Sequence, residues 1–346
     1  MKPRITRILL FFPLLSLTTL AGCEKLLMPT SPDSTPTAVF DQLWQQFDRQ
    51  YSLFDVKGVD WQLVYDTLRP KVNESISSDS LFAICAAMLN TLCDGHVNLY
   101  SSYDLSHSDS IIHRSYAERQ YDINAIVLGY LGSGYHTTGG VAHQALHHGQ
   151  VIYMRYGSFS NSIGVNQLRH ILRTYPDARG LILDIRGNGG GSTDNIHSFL
   201  SILPSRGQLL YTSQIKSGPA HDDFTTPYAT YAPQVSDTQA FTRPVVVLTD
   251  RGCYSASSMF SLCCRAYPNV TLLGDTTGGG LAMPAMGFLS NGWRYRLPVT
   301  RLLSPQGINY ENGVPPHRVV TFDRQAALDR QVDNLIDSAC NIILEY

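Results

Sequence analysis

Between residues 37 and 95, apolar side chains recur with helical spacing. Phe40, Leu43, Trp44, Phe47, Tyr51 and Phe54 fall at i, i+3, i+4, i+7, i+11 and i+14. Trp61, Val64, Tyr65 and Leu68 repeat the pattern, as do Leu81, Ile84, Cys85, Met88 and Leu92. Asp60 and Ser78 stand where N-caps belong, and Gly95 where a C-cap belongs, just before His96. Residues 37–100 therefore predict a small helical bundle. Residues 101–150 turn polar, with short apolar runs such as 125–128, and read as loops and a few strands. From 151 the pattern alternates. Strands are expected at 151–154, 180–185, 244–249 and 270–273, with helices at 163–174, about 193–202 and 255–266 between them. Strand–helix alternation of this kind predicts an α/β core over 151–346 with a largely parallel sheet. Trp293 to Leu297 alternates like a half-exposed strand.

Composition adds limits. The chain has 346 residues, room for two domains, and a formal net charge of −2, which gives no reason to expect a nucleic-acid partner. Lys2, Arg4 and Arg7 precede an apolar run over 8–20 that is too short to span a bilayer comfortably. Residues 1–22 have the layout of a secretory signal, and Leu20-Ala-Gly-Cys23 resembles a bacterial lipobox. That resemblance implies a lipid on Cys23, a membrane anchor, and a place in the bacterial cell envelope as an outer-membrane lipoprotein. Residues 23–36, rich in Pro and Ser, read as a disordered tether. The remaining cysteines, 85, 93, 253, 263, 264 and 340, lack C-x-x-C spacing and are expected to act as small buried hydrophobes, although export would permit disulfides.

Two stretches carry candidate chemistry. TDRGCYSASSMFS (249–261) leaves an apolar strand, turns, and opens a helix at Ser255. Ser255 is either a simple N-cap or a nucleophile displayed on that turn. RGNGGGS (186–192) also links a strand to a helix. It fails as a dinucleotide fingerprint, because Ser192 takes the third glycine's place and no acid follows about 20 residues on. It also lacks the G-K-[ST] of a phosphate loop. A structural glycine turn and a nest of N–H groups for an anionic oxygen both remain open. A nucleophilic serine needs a base. The lysines are at 2, 25, 57, 71 and 216, and none follows Ser255, so histidine is the better candidate. His96, at a helix exit, is singled out, though such a histidine is also commonly structural. His143, His147 and His148 lack an H-E-x-x-H pattern and carboxylate partners, so no metal or other cofactor is expected. Glu311, before a Gly–Pro-rich turn, is a candidate orienting acid or merely a solvated loop carboxylate.

In order, the chain carries Leu43-Trp44, Gly58-Val-Asp-Trp61, Leu92-Cys-Asp-Gly-His96, Tyr153-Met-Arg-Tyr-Gly-Ser-Phe159, Leu183-Asp-Ile-Arg-Gly-Asn-Gly-Gly190, Tyr254-Ser-Ala-Ser257, Gly274-Asp-Thr-Thr-Gly-Gly279 and Glu311-Asn-Gly-Val-Pro315. This ordered set resembles the tail-specific, or C-terminal-processing, serine peptidases, within them the branch typified by the tricorn protease core. The resemblance implies an N-terminal helical bundle followed by a crotonase-like α/β core, and peptides or unfolded proteins as substrates. It implies Ser255 as nucleophile, His96 as general base and Glu311 as orienting acid. The implied oxyanion donors are Ala256 with Gly189 or Gly190. The other branch of the family uses a lysine 25 positions after the serine, where this chain has Gly280. Gly95 stands where the tricorn pattern has serine, and 101–150 is too short for a complete PDZ domain. A non-cutting relative on the same fold, binding peptides or a hydrophobic ligand, is the main rival reading. An esterase ranks behind it, because the G-x-S-x-G elbow is absent.

Overall fold

The computed structural model describes residues 33–108 and 119–345; the proposed signal, Cys23 and residues up to 32 of the tether lie outside the described residues. The N-terminal unit consists of α1 (Pro36–Gln50), α2 (Phe54–Lys57), α3 (Trp61–Leu68) and α4 (Ser78–Asn90), followed by β1 (Asn98–Tyr100). α1 buries Val39, Phe40, Leu43 and Phe47, one stripe at helical spacing. Trp44 and Trp61 clasp α1 to α3, each indole N–H donating to the other residue's carbonyl at 3.1 and 3.2 Å. Asp60 caps α3 by accepting the Leu63 N–H at 2.9 Å. The cap of α4 is Ser77 rather than Ser78, because the Ser80 N–H donates to the Ser77 hydroxyl. At the other end the left-handed residue is Cys93 (φ +46°), not Gly95.

The core follows as α5 (Ile123–Ile126), β2 (His136–Thr138), β3 (Val141–Leu146), β4 (Val151–Arg155), α6 (Val165–Thr174), β5 (Gly180–Asp184), α7 (Thr193–Leu200), β6 (Leu209–Ile215), β7 (Tyr228–Tyr231), β8 (Val245–Thr249), α8 (Ala256–Cys264) and β9 (Val270–Gly274). The apolar run expected as loop or strand around 125–128 is helical, because Asp122 caps it by accepting the Ala125 N–H at 2.9 Å. The chain ends with β10 (Pro284–Phe288), β11 (Arg294–Pro298), β12 (Thr300–Leu303), β13 (Arg318–Val319), α9 (Arg324–Arg330) and α10 (Asn334–Leu344).

Seven strands form the main sheet in the order β13-β9-β8-β5-β4-β3-β2. The β13 to β4 pairings are parallel, and β3 and β2 add an antiparallel edge. β5 and β8 are buried throughout, as central strands covered on both faces must be. β11 keeps the expected alternation, with Tyr295 and Leu297 buried and Arg294 exposed.

The helices of the N-terminal unit do not close their own core. Ala282, Leu289, Trp293, Tyr295 and Leu297 complete the hydrophobic cluster built by α1, α3 and α4. β1 pairs antiparallel with β11, which pairs with β10, so a late segment of the chain seals the first one. His96 lies between these two bodies.

Candidate active site

β8 ends at Thr249 and α8 starts at Ala256; the turn between them holds Ser255 at φ +56°, ψ −122°. A non-glycine residue in that region is strained and persists only when its surroundings over-determine it. Here they do. The Ser255 N–H donates to the Gly279 carbonyl at 2.9 Å, and the Tyr254 N–H to the Asn188 carbonyl at 3.0 Å. Cys253 is fully buried, its thiol 3.0 Å from the Ile185 carbonyl. Gly279, at φ +86°, passes so close to the Glu311 carbonyl that a Cβ would collide with it. Ser255 occupies the N-cap position of α8, yet its side chain makes no capping bond. Its Oγ instead lies 3.1 Å from His96 Nε2, across 159 positions of sequence.

His96 is only 4% exposed. Its Nδ1 is 3.0 Å from the Ala282 carbonyl. A carbonyl can only accept, so the ring proton belongs on Nδ1 and the Nε2 lone pair faces the serine hydroxyl. Burial lowers the imidazole pKa to about 4, against a smaller opposing pull from Asp94, so the ring is neutral near pH 7. Asp94 is itself buried; Oδ1 accepts the His96 N–H and Oδ2 the Tyr51 hydroxyl, each at 2.8 Å. The Tyr254 ring stands edge-on to the imidazole at 5.1 Å.

Glu311, 3% exposed, does not meet the imidazole directly. Its Oε2 accepts the Ala282 N–H at 2.8 Å, so it grips the residue whose carbonyl grips His96. Its Oε1 has no partner among the described residues. Burial first, and the Asp94 charge second, push this carboxyl up to about 8.

The oxyanion candidates divide. The Gly190 N–H is already donated to Asn188 Oδ1 at 3.0 Å, which removes it as a free donor. Its role is close approach, because at φ +101° a Cβ there would lie 2.8 Å from Ser255 Cβ. The Ala256 and Gly189 N–H groups carry no hydrogen bond among the described residues, and Gly189 is exposed. The glycine turn rests on an ion pair that sequence reasoning missed, although Arg186 was in plain view. Arg186 is fully buried, and bonds Asp184 through two nitrogens (2.7 and 2.9 Å) and Asp333 at 3.0 Å. Burial alone would raise the Asp184 carboxyl, but Arg186 and Arg155 overcome it and hold it at about 2. Asp94, Asn188 and Ala282 were missed as well. Ala282 contributes only backbone, so no side chain could have announced it. His143 lies on β3 rather than in a loop, bonded to Thr138 at 3.0 Å and Tyr175 at 2.9 Å. Five of the six described cysteines are buried and Cys93 is exposed; all six are unpaired.

Residues 150–320 match the model of peptidase family S41, and residues 32–90 that of the tricorn protease C1 domain. A crystal structure from Parabacteroides merdae ATCC 43184, of a protein assigned as a peptidase, is 34% identical, covers 90% of this chain and 98% of its own, and superposes with a TM-score of 0.84. The chain belongs to peptidase family S41. It is thus of the serine peptidase type, with the helical opening of the tricorn branch. The carboxy-terminal processing protease CtpA of Bacillus subtilis (strain 168) is 25% identical over 130 residues, which is 38% of this chain and 26% of CtpA. The photosystem II D1 C-terminal processing protease shares the fold, with a TM-score of 0.53 at 18% identity over 84% of this chain and 94% of that one. His96 lies outside both matched segments, whereas Ser255 and Glu311 lie within the S41 match.

Proposed function

We propose that this S41 peptidase is an exported serine endopeptidase, anchored in the bacterial cell envelope by a lipid on Cys23, that hydrolyses peptides or unfolded proteins through an acyl-enzyme on Ser255. The observation that carries the reading is the 3.1 Å approach of a neutral, tautomer-fixed His96 Nε2 to the hydroxyl of a strained Ser255. His96 takes the hydroxyl proton as Oγ attacks the peptide carbonyl, and the C–O bond forms. Negative charge gathers on the carbonyl oxygen, where the Ala256 and Gly189 N–H groups are free to donate. One such donor is worth about 2.7–4 kcal/mol of barrier. His96 then passes its proton to the leaving amine as the C–N bond breaks. Water enters, gives a proton to His96, and attacks the ester; Oγ recovers that proton as the acid product leaves. Glu311 acts through Ala282, fixing the carbonyl that keeps the ring proton on Nδ1. The basic N-terminus and Leu20-Ala-Gly-Cys23 support export and lipidation to the outer membrane.

The test is labelling of the purified protein with a fluorophosphonate, the adduct being located by peptide mass spectrometry. Label is expected on Ser255 and should fall at least tenfold in His96→Ala. A folded protein that takes no label would sink the peptidase reading and favour the non-cutting relative. For the anchor, palmitate incorporation in the host should disappear in Cys23→Ser.

A further inference from the structure

A base that takes the Ser255 proton carries a positive charge until the leaving amine collects it. The His96 ring is almost wholly buried, so little water is at hand to balance that charge, and a carboxylate has to do so. Glu311 is the obvious choice, but its state and its contacts argue against it. Burial and the Asp94 charge push its carboxyl up to about 8, so near pH 7 it holds its own proton. Its bond is to the Ala282 backbone and not to the ring.

Asp94 is the other buried carboxyl of this cluster, two residues before the histidine in the loop between α4 and β1. Its Oδ1 accepts the His96 N–H and its Oδ2 the Tyr51 hydroxyl, each at 2.8 Å. A donor on each oxygen is the pattern an ionised carboxylate takes. Tyr51 lies fully buried at the end of α1, and burial together with Asp94 raises its hydroxyl well above the ordinary value, so it keeps its proton and donates. Tyr254, edge-on to the imidazole, is likewise raised by burial and stays neutral. Arg296 of β11 and Lys57 at the end of α2 both oppose a charge on the ring. The Lys57 ammonium is engaged with the Cys93 carbonyl and Asn312 Oδ1, each at 3.3 Å. Against burial and these two cations, the strongest pull toward the imidazolium comes from Asp94.

We propose that Asp94 is the positioning residue of the base: held by Tyr51 and by the His96 N–H, its carboxylate balances the charge that His96 gains in acyl transfer, while Glu311 works only through Ala282. This rests on the serine peptidase reading. No proton passes to Asp94; the Ser255 hydroxyl proton moves to Nε2 and from there to the leaving amine.

The test compares rates of fluorophosphonate labelling at Ser255, against pH, in the parent enzyme, Asp94→Asn and the double variant Asp94→Asn/Glu311→Gln. Asparagine keeps an oxygen for the His96 N–H and offers its amide to the Tyr51 oxygen, so the loop is preserved and only the charge is lost. At about pH 6, Asp94→Asn should label at least tenfold more slowly than the parent. Losing the Asp94 charge also lowers Glu311, which then ionises toward about pH 9 and supplies negative charge in its place. The Asp94→Asn rate should therefore climb away from that of the double variant as pH rises. A parent-like rate in Asp94→Asn, or two variants that stay parallel at every pH, overturns the assignment and leaves Asp94 as a turn former. Labelling of the parent keeps the peptidase reading intact in that case. If Asp94→Asn does not fold, the infrared spectrum of the parent near pH 6 decides. A protonated-carboxyl band that disappears in Glu311→Gln is expected; its absence would make Glu311 the charged partner and overturn the proposal. A folded parent that takes no label removes both readings together.

Discussion

Ser255 and His96, the nucleophile and base proposed above, are held in contrasting ways. Ser255 sits between the central strand β8 and the wholly buried helix α8, in a turn pinned by the Tyr254 and Ser255 N–H groups donating to the Asn188 and Gly279 carbonyls. Beneath it, Arg186 locks the neighbouring glycine turn to Asp184 and Asp333. His96 sits in a short loop of the N-terminal unit, and its ring is fixed by one carbonyl supplied from 186 positions away. One half of the site is built into the sheet; the other is delivered by a packed neighbour. Precision on the first side comes from local structure, and on the second from docking between two hydrophobic cores.

That contrast can be broken from either side. The largest expected effect is on the sheet side. Asp184→Ala strips Arg186 and Arg155 of their shared partner and leaves buried positive charge uncompensated. About 3–5 kcal/mol of stability should be lost, read as a drop in the denaturant midpoint. A loss under about 1 kcal/mol would mean the network is not what supports the glycine turn.

On the base side the damage should fall on rate and spare the fold. Glu311→Ala frees the Ala282 N–H and loosens the carbonyl that sets the imidazole, so kcat/KM for a peptide substrate should fall about 100-fold. Glu311→Gln, whose amide oxygen can still accept that N–H, should stay within about tenfold of the parent enzyme. Equal losses in the two variants would show that accepting the Ala282 N–H is not what Glu311 contributes.

The smallest effect is on pH dependence. With His96 held at about 4, kcat/KM should keep its value down to about pH 5 and fall below pH 4. The same depressed value makes a stability contribution present above pH 6.5 and lost as pH falls through about 4. Glu311 runs the other way. Raised to about 8, its contribution is full below pH 4.5 and fades as pH rises through about 8. Glu311→Gln should remove that alkaline decline in melting temperature. An acid limb near pH 6.5 instead would mean His96 is well hydrated in solution.

Much of this was legible in the sequence, for identifiable reasons. The stripe from Phe40 to Phe47, the cap at Asp60 and the β8–α8 turn are set by local spacing, which a single chain displays. The Ser255–His96–Glu311 set came from the ordered motifs quoted above, not from spacing; the structure brings Ser255 and His96 within 3.1 Å, whereas Glu311 reaches the ring only through Ala282. What stayed hidden was long-range and backbone-made. No pattern shows that Trp293 and Leu297 complete the core of residues 39–99, because each reads as an ordinary strand residue. The Asn188 side chain occupying the Gly190 N–H, and Ala282 standing between Glu311 and His96, depend on three-dimensional approach. The shift of the α4 cap from Ser78 to Ser77 reflects a run of serines in which several positions are chemically equivalent.

The late segment that seals the first has a consequence for the order in which the enzyme is made. A growing chain holds His96 early and Ser255 long afterwards, but Ala282 and Glu311 come later still. A chain that stops between Ser255 and Ala282 already contains both His96 and Ser255. It nonetheless lacks the carbonyl that sets the ring proton, the β-hairpin that closes the helical core, and the carboxyl that grips residue 282. Synthesis from one end therefore imposes its own delay. The newborn polypeptide cannot complete the contacts around His96 until the residues through Glu311 have emerged.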